Sequence, residues 1–244
     1  MQQYMISTQQ INDDDITLDS SVWHHIKNVM RYNNNEKIMC VDYQTHIRYL
    51  CQIKDNRIKI IEVLDINNEF PYELVLAIGL VKADKLEFII QKACELGATK
   101  LIPIMMERSI VKLDAAKIEK KMQRWNKIAL EACEQAKRNT IMIIEKPIKI
   151  QELVNFKQGC NFVAYENEGL EISLVNQIPN CQNTMVVIGP EGGISDLEHK
   201  ILTDNGFISI SLGKRILRCE TAAVAALSII SYLMEDFNEN ICID

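Results

Sequence analysis

Long apolar runs, aromatic residues and closely spaced cysteines are scarce in this chain of 244 residues. No apolar stretch reaches the roughly 18 residues that a membrane-spanning helix needs. The opening segment MQQYMISTQQINDDD also lacks the basic and apolar regions of a secretory signal. Aromatic residues make up only 6% of the chain, but apolar residues make up 48%, which is enough to bury a sizeable core. We therefore expect a soluble cytoplasmic protein that does not interact with a membrane.

The eight cysteines include no Cys-x-x-Cys pair, so their spacing suits neither a zinc site nor a disulfide framework. Buried free thiols are the expectation for all of them. His24 and His25 are adjacent and would point in different directions on a helix, and no carboxylate or thiol is spaced to complete a metal site. The sequence therefore predicts no metal. A cysteine nucleophile is also disfavoured, because no histidine lies near Cys219 in the sequence.

The formal net charge of -6 argues against a nucleic-acid partner for the chain as a whole, because phosphate neutralisation requires clustered cations. The average conceals a local excess of positive charge. From Glu107 to Lys149 there are eleven Lys or Arg residues against six Asp or Glu residues. This segment is either a surface that contacts RNA or a solvated helix face.

Short strand-like runs separated by turn residues dominate the start of the chain. They are KIMCVDY, YLCQIK and RIKIIEVL, a pattern that suits a small β-barrel. After NNEFPYE the pattern changes, and β-rich runs such as LVLAIGLV and MVVIG alternate with amphipathic helical segments. This alternation predicts an α/β domain with a mainly parallel sheet. We place the boundary near Pro71, between domains of residues 1–70 and 71–244.

Two of the predicted helices carry start signals. Asp84 precedes Glu87, and Ser195 precedes Glu198, at the spacing of a capping box that satisfies the unpaired amide donors of a helix N-terminus. Gly97 is well placed to end the first of these helices. Both signals support the α/β interpretation.

The motif GPEGGIS, residues 189–195, follows the apolar run MVVI. Open α/β sheets bind ligands at the carboxyl ends of their strands, and Gly189, Gly192 and Gly193 allow the backbone to approach a ligand closely. A tight turn without a ligand is the alternative. Neither G-x-G-x-x-G nor G-x-x-x-x-G-K-[ST] occurs, so the common dinucleotide and nucleoside-triphosphate cradles are not supported.

A second motif, FISISLGKRILRCETAAVAALSII, predicts a strand, a glycine turn at Gly213, a connection with three cations and an alanine-rich helix. The cations Lys214, Arg215 and Arg218 precede a helix start near Glu220, where anionic residues are preferred. They are either solvated or directed at an anion from outside the chain, and their position favours the second interpretation.

Taken together, GPEGG and LGKRILRCETAA, with DKLEFIIQKACELG, ERSIV, RWNKIALEACEQAKR and HHIKNVMR, resemble the RsmE family. These enzymes are SPOUT methyltransferases that make N3-methyluridine in small-subunit ribosomal RNA. The resemblance covers nearly all of the chain. It implies an N-terminal PUA-like β-barrel that contacts RNA and a C-terminal SPOUT domain with a mainly parallel sheet and a trefoil knot. It also implies a homodimer.

The resemblance further implies that S-adenosylmethionine binds to loops of the knot. The residues that match these loops are Tyr165, Glu166, Ile188, Gly189, Pro190, Glu191, Gly192, Gly193, Leu212, Gly213, Ile216, Leu217, Arg218 and Thr221.

The methyl group of S-adenosylmethionine lies on a cationic sulfonium, so we expect the enzyme mainly to hold the uridine nucleophile in line, without a metal. Loss of the N3 proton leaves negative charge on the uracil ring, and a guanidinium aimed there would stabilise it. Arg218 is the candidate for this role. Glu220 would either take the proton or fix the arginine, and Thr221 would either cap the helix or bind the ligand.

The target base must be unpaired or extruded before its N3 is accessible. Phosphate contacts are assigned to seven cations, each of which is alternatively plain surface: Arg31, Arg108, Lys112, Arg124, Lys137, Arg138 and Arg215.

Two other functions remain open from the sequence. A SPOUT ribose 2'-O-methyltransferase would keep the fold and change the acceptor atom, although its relatives carry different cofactor-loop motifs. A non-catalytic RNA-binding assembly factor is the alternative from another functional class, and the intact glycine motifs and Arg218 argue against it.

Overall fold

The structure is a computed structural model that describes residues 1–111, 115–165, 174 and 181–235. The chain divides into two compact units. The first comprises Met1–Glu69 and Leu130–Ile141, and the second comprises Phe70–Ala129 and Met142–Asp244. The boundary near Pro71 stays a prediction. The first unit also includes Leu130–Ile141, which the sequence pattern assigns to the second domain.

The first unit contains a six-stranded sheet in the order β1-β4-β5-β6-β3-β2. β1 and β4 are parallel, and the other neighbours are antiparallel. Alternating buried residues such as Ile38, Cys40, Cys51 and Ile53 form its core. The strands are β1 (Gln3–Ile6), β2 (Ile11–Asn12), β3 (Asp15–Ile16), β4 (Lys37–Asp42), β5 (Arg48–Lys54) and β6 (Arg57–Leu64).

Short helical turns complete the description of the first unit. A 3-10 turn covers Thr8–Gln10, and helix α1 (Ser20–His24) continues into a π-helical turn over His25–Val29. His25 Nδ1 lies 3.0 Å from the hydroxyl of Tyr4, so this histidine has a hydrogen-bond partner inside the unit.

The second unit is built on a parallel sheet in the order β10-β8-β7-β12-β11-β13, with β9 also paired to β8. Its central strands β7 and β12 are buried along their whole length, as expected for a parallel sheet that helices pack against. This sheet confirms the predicted α/β fold class. The strands are β7 (Leu74–Gly79), β8 (Lys100–Met105), β9 (Ile143–Ile144), β10 (Ile148–Lys149), β11 (Cys160–Ala164), β12 (Thr184–Ile188) and β13 (Ile208–Ile210).

The remaining helices begin and end close to the predicted positions. One of them, α3, runs from the second unit into the first at Leu130. Ile150–Phe156 forms an additional 3-10 helix that the sequence pattern does not predict. The helices are α2 (Ala83–Glu95), α3 (Ala115–Gln135), α4 (Asp196–Asp204) and α5 (Cys219–Met234).

One of the two predicted capping boxes is confirmed. Ser195 caps α4, its side chain accepts from the Glu198 amide, and Glu198 Oε2 accepts from the Ser195 amide at 3.0 Å. The prediction for Asp84 is wrong, because α2 begins one residue earlier and Asp84 lies inside its first turn. Gly97 follows α2 with a φ of 82°, a left-handed conformation that suits glycine at a helix end.

The expectation of free thiols is wrong for Cys160 and Cys181, which form a disulfide with a Cα–Cα distance of 5.8 Å. The first cysteine begins β11 and the second precedes β12, the adjacent parallel strand. Strand adjacency brings them together, and spacing in the sequence does not reveal it. The cysteines among the described residues that form no disulfide are all buried: Cys40, Cys51, Cys94, Cys133 and Cys219. Cys242 lies outside the described residues.

Within the described ranges, no helix combines the length and apolar content required to cross a membrane. The same residues contain no group of three or more His, Cys, Asp or Glu side chains that could hold a metal ion.

Candidate functional site

A cavity of about 440 Å³ lies in the second unit, at the carboxyl ends of strands β11 and β12. Its walls are the end of β11, the turn after β12, and the connection between β13 and α5. One side chain from α2, that of Lys85, also lines it. Because parallel strands end at the same edge of a sheet, three segments that are distant in the sequence meet here.

Most of the residues matched to the cofactor loops line this cavity. Gly192 and Thr221 do not line it, and Glu166 lies outside the described residues. Thr221 is exposed in the first turn of α5, where Arg218 is the N-cap residue, so Thr221 does not cap the helix. The matched residues in the cavity wall are Tyr165, Ile188, Gly189, Pro190, Glu191, Gly193, Leu212, Gly213, Ile216, Leu217 and Arg218.

The glycines serve different purposes. A Cβ atom at Gly189 would lie 2.7 Å from Ile194 Cγ1, and one at Gly192 would lie 2.9 Å from Arg108 Cβ. These two glycines therefore allow the turn to pack against its own chain. At Gly213 the φ is 117° and no atom lies within 4 Å of an added Cβ, so this glycine is required for backbone conformation beside the open cavity.

Lys85 joins two carboxylates, that of Glu191 in the cavity wall and that of Glu220 in the first turn of α5. Its Nζ lies 3.2 Å from Glu191 Oε1 and 3.3 Å from Glu220 Oε2. Desolvation lowers the pKa of Lys85, but hydrogen bonds to the two glutamates outweigh it, and the net shift is upward. The sequence does not single out Lys85, because a lysine inside an amphipathic helix has the pattern of an ordinary surface residue.

The thiol of Cys219 belongs to the same cluster and donates to Glu220 Oε2 at 3.0 Å. Burial and this hydrogen bond raise the pKa of Cys219 to about 12, so the thiol stays protonated at neutral pH. The hydrogen bond from Cys219, followed by that from Lys85, lowers the pKa of Glu220. A depressed pKa makes a carboxylate a weak base.

Three cations in the connection before α5 are exposed. The side chains of Lys214, Arg215 and Arg218 line the cavity and make no hydrogen bond or ion pair with any residue that the structure describes. In particular, Glu220 does not contact Arg218. The cations are therefore accessible from solvent, and their binding of an outside anion stays a prediction.

Tyr165 is held at the cavity wall by two side chains of helix α4. Its ring stacks on His199 with centroids 3.9 Å apart and an interplanar angle of 11°. Its hydroxyl donates to Asp196 Oδ1 at 2.8 Å. The start of α4 therefore orients the side chain that ends β11.

The cations assigned to RNA differ in how accessible they are in the second unit. Arg215 and Arg108 are both exposed, but Arg108 donates to the carbonyls of Gly192 and Ile194 at 3.3 and 3.4 Å. Arg124 is exposed but donates to Glu87 Oε2 at 2.7 Å. Lys112 lies outside the described residues.

In the first unit, Arg31 is exposed, and Lys137 is half-buried and donates to the Met1 carbonyl at 2.8 Å. Arg138 is only 3% exposed and forms an ion pair with Glu69. Its burial and its partner do not leave it accessible to a phosphate, so we correct its assignment from an RNA contact to a structural ion pair.

Two sequence families match the chain. The family described as RNA methyltransferase domain matches residues 68–231, and the family described as RNA methyltransferase PUA domain matches residues 18–64. Together they cover most of both units.

Among curated relatives, the ribosomal RNA small subunit methyltransferase E of Bacillus subtilis is 39% identical over 251 residues, covering 96% of this chain and 98% of the relative. The protein of the same name from Mesomycoplasma hyopneumoniae is 39% identical over 84% of this chain and 88% of its own.

Solved structures agree. The ribosomal RNA small subunit methyltransferase E of Neisseria gonorrhoeae, bound to S-adenosylmethionine, superposes with a TM-score of 0.85 at 27% identity, covering 96% of this chain and 98% of that one. A methyltransferase from Legionella pneumophila with bound cofactor also gives a TM-score of 0.85, at 28% identity, covering 94% of this chain and 96% of that one.

Proposed function

The chain belongs to the ribosomal RNA small subunit methyltransferase E family, and we propose that it transfers a methyl group from S-adenosylmethionine to N3 of a uridine in small-subunit ribosomal RNA. One observation carries this proposal: the cavity at the ends of β11 and β12 is lined by the glycine turn and by the connection before α5, whose three cations have no ion-pair partner among the described residues. A nucleotide-like cofactor and an anionic substrate would meet there.

The cavity suits the cofactor in size and chemistry. Its volume of about 440 Å³ lies within the range of small-molecule sites. Apolar side chains, including Ile188, Leu212 and Leu217, offer cover for an aromatic base. Glu191 lines the cavity and offers a carboxylate for the positively charged groups of the ligand, and the cations Lys214, Arg215 and Arg218 line it as well. When bound, S-adenosylmethionine would supply an electrophilic methyl group on its sulfonium.

Arg218 would stabilise the substrate at the moment of transfer. Uracil that has lost its N3 proton carries negative charge on the ring and on the flanking carbonyl oxygens. A planar guanidinium that is not paired within the protein can donate two hydrogen bonds to such a charge. Arg218 is exposed, lines the cavity and has no side-chain partner among the described residues.

Glu220 would hold Lys85 and Cys219, which line the cavity, and would not take the proton. Its carboxylate accepts from Cys219 and pairs with Lys85, and both contacts favour the ionised form. Of the roles left open by the sequence, the role of proton acceptor loses support, and so does fixing Arg218, which Glu220 does not contact.

The first unit would bind the RNA around the target. It includes the residues matched by the PUA family, and Arg31 offers an exposed cation there. In the second unit, Arg215 is the accessible cation nearest in sequence to Arg218. A uridine must leave its stack before its N3 is accessible, so the target would lie in a loop or be extruded.

We also infer a homodimer and a cytoplasmic location. Helices α2 and α5 pack together, and each exposes a large apolar side chain: Phe88 is 43% exposed and Tyr232 is 68% exposed. A second copy of the chain would cover such residues. A ribosomal RNA substrate would place the enzyme in the cytoplasm. The trefoil knot stays a prediction of the family resemblance.

Mass spectrometry of ribosomal RNA nucleosides tests the proposed activity. RNA from cells that lack the protein should lose N3-methyluridine and regain it when the gene is restored. Loss of a ribose-methylated nucleoside instead would establish the 2'-O-methyltransferase alternative. No change in any nucleoside, together with no binding of S-adenosylmethionine in calorimetry, would favour the non-catalytic assembly factor.

A further inference from the structure

Lys85 occupies a position that its own helix does not favour. It is the third residue of α2, and the positive end of a helix dipole disfavours a cation in the first turn. The carboxylates that compensate for this come from two other segments. Glu191 lies in the turn after β12, and Glu220 lies in the first turn of α5.

The three charged groups form a compact cluster. Nζ of Lys85 is 3.2 Å from Glu191 and 3.3 Å from Glu220, so the two carboxylate oxygens are at most roughly 6.5 Å apart. The three side chains are between 20% and 24% exposed, so solvent screens them only in part. Without the ammonium, the two negatively charged carboxylates would repel each other with no cation between them.

We propose that Lys85 is a positioning residue that holds the two cofactor-binding segments, the turn after β12 and the start of α5, in the spacing that S-adenosylmethionine requires. This inference rests on the proposed function of the cavity. Lys85 acts through Glu191 and Glu220, and the proposal assigns it no contact with the methyl group or with uracil.

Several observations support this role. The ion pairs of Lys85 link three elements: helix α2, the turn after β12 and helix α5. Lys85 itself lines the cavity. Cys219 adds a hydrogen bond to the same oxygen of Glu220 that Lys85 contacts, which fixes the orientation of that carboxylate. The upward pKa shift of Lys85 keeps it charged across the physiological range. Because Lys85 stays charged, its ion pairs with Glu191 and Glu220 can keep the two segments at a constant distance.

Four variants of the full-length protein test the proposal: Lys85→Met, Lys85→Arg, Glu191→Gln and the double variant Lys85→Met/Glu191→Gln. Lys92→Met is the matched control, because Lys92 lies on the same helix and forms an ion pair with the exposed Glu95, away from the cavity lining. Affinity for S-adenosylmethionine is measured by calorimetry, and turnover is measured at saturating cofactor and RNA. Thermal unfolding verifies that each variant is folded.

We expect Lys85→Met to weaken cofactor affinity by about tenfold or more and Lys85→Arg to restore most of it, because two oxygens can still share one cation. Turnover at saturating cofactor should change by less than about threefold. In the double variant, removal of one carboxylate relieves the repulsion, so its affinity should exceed that of Lys85→Met alone.

The proposal is overturned if Lys85→Met binds the cofactor as wild type does, or if the two single effects add in the double variant. It is also overturned if Lys92→Met loses as much affinity as Lys85→Met. A wild-type protein that binds no S-adenosylmethionine would refute the proposed function itself, an outcome distinct from a failure of Lys85 alone.

Discussion

Arg138 Nη2 lies 2.6 Å from Glu69 Oε2, and this ion pair is almost completely buried in the first unit. The side chains are 4% and 10% exposed. Glu69 also accepts from the backbone amides of Asn139 and Thr140 at 2.8 and 3.0 Å. Burial raises the pKa of Glu69, but the hydrogen bonds and the charge of Arg138 outweigh it and lower the pKa overall. The buried carboxylate of Glu69 is therefore stabilised by both an ion pair and two backbone hydrogen bonds.

Breaking this pair should destabilise the protein. Arg138→Ala leaves a buried carboxylate without its counter-ion, which typically costs about 3–5 kcal/mol. Arg57→Ala is the control, because Arg57 forms an exposed pair with Asp15 at 3.9 Å, and its loss should cost at most about 1 kcal/mol. Urea unfolding measures both. Equal losses in the two variants would show that the buried network is not formed in solution.

Glu134 should make stability depend on pH. It accepts from the Met5 amide at 2.9 Å, and burial raises its pKa to about 7. The unfolded carboxyl ionises near its ordinary pKa of about 4.4, so stability should fall as pH rises from about 4.5 to about 7. Glu134→Gln should remove this loss and be more stable than wild type at pH 8, by on the order of 2 kcal/mol.

Urea unfolding of wild type and Glu134→Gln between pH 5 and pH 8 tests this effect. Glu36→Gln is the control, because Glu36 is an exposed carboxylate of the same unit. Parallel pH profiles for all three proteins would contradict a raised pKa at Glu134.

Arg218→Ala should lower turnover without loss of cofactor binding. Removal of a preorganised donor to a developing anion costs about 10²–10³ in kcat. Arg218→Lys should recover little, because an ammonium does not reproduce the planar fork. Single-turnover assays at saturating cofactor and RNA isolate the step. Normal turnover with a raised KM for RNA would assign Arg218 to phosphate binding instead.

Arg215 should contribute to the salt dependence of RNA binding. It is exposed and has no side-chain partner among the described residues. Arg215→Gln should reduce the slope of log affinity against log salt by about 0.7–0.9, the value for one phosphate contact. Arg124→Gln should change it less, because Arg124 is already paired with Glu87. Filter binding at several salt concentrations measures both slopes. An unchanged slope for Arg215→Gln would show that Arg215 makes no phosphate contact.

The disulfide between Cys160 and Cys181 should stabilise the second unit. It closes a segment with a sequence separation of 21 residues, and a loop of this size corresponds to about 3 kcal/mol in the chain-entropy model. Reduction of wild type should lower the urea midpoint, and a Cys160→Ser/Cys181→Ser variant should show no response to reductant. Non-reducing peptide mapping that finds both cysteines as free thiols would contradict the bond.

Periodicity and turn chemistry predict the parallel sheet, the bounds of β6 and the cap at Ser195, because each depends on residues that are close in sequence. The Asp84 cap was predicted wrongly because the capping-box spacing alone does not distinguish the first turn from the cap position. The cofactor-loop residues follow from motifs, and most of them meet in one cavity.

What the sequence does not predict depends on contacts between distant segments. Lys85 reads as a surface lysine until α2 is placed beside the turn of Glu191. Arg138 reads as part of a basic cluster until its partner Glu69 is known, 69 positions earlier in the chain. Net charge per segment cannot separate a buried paired cation from an exposed one.

The split composition of the first unit limits how the enzyme can be divided. Arg48 donates to the Lys137 carbonyl and to Asn139 Oδ1, both at 2.7 Å, and Gln3 donates to the Arg138 carbonyl at 2.7 Å. A fragment cut after Glu69 would expose or orphan all of these buried polar groups. Recombination could therefore not transfer the N-terminal region alone to another methyltransferase, because the unit is complete only when Leu130–Ile141 is included.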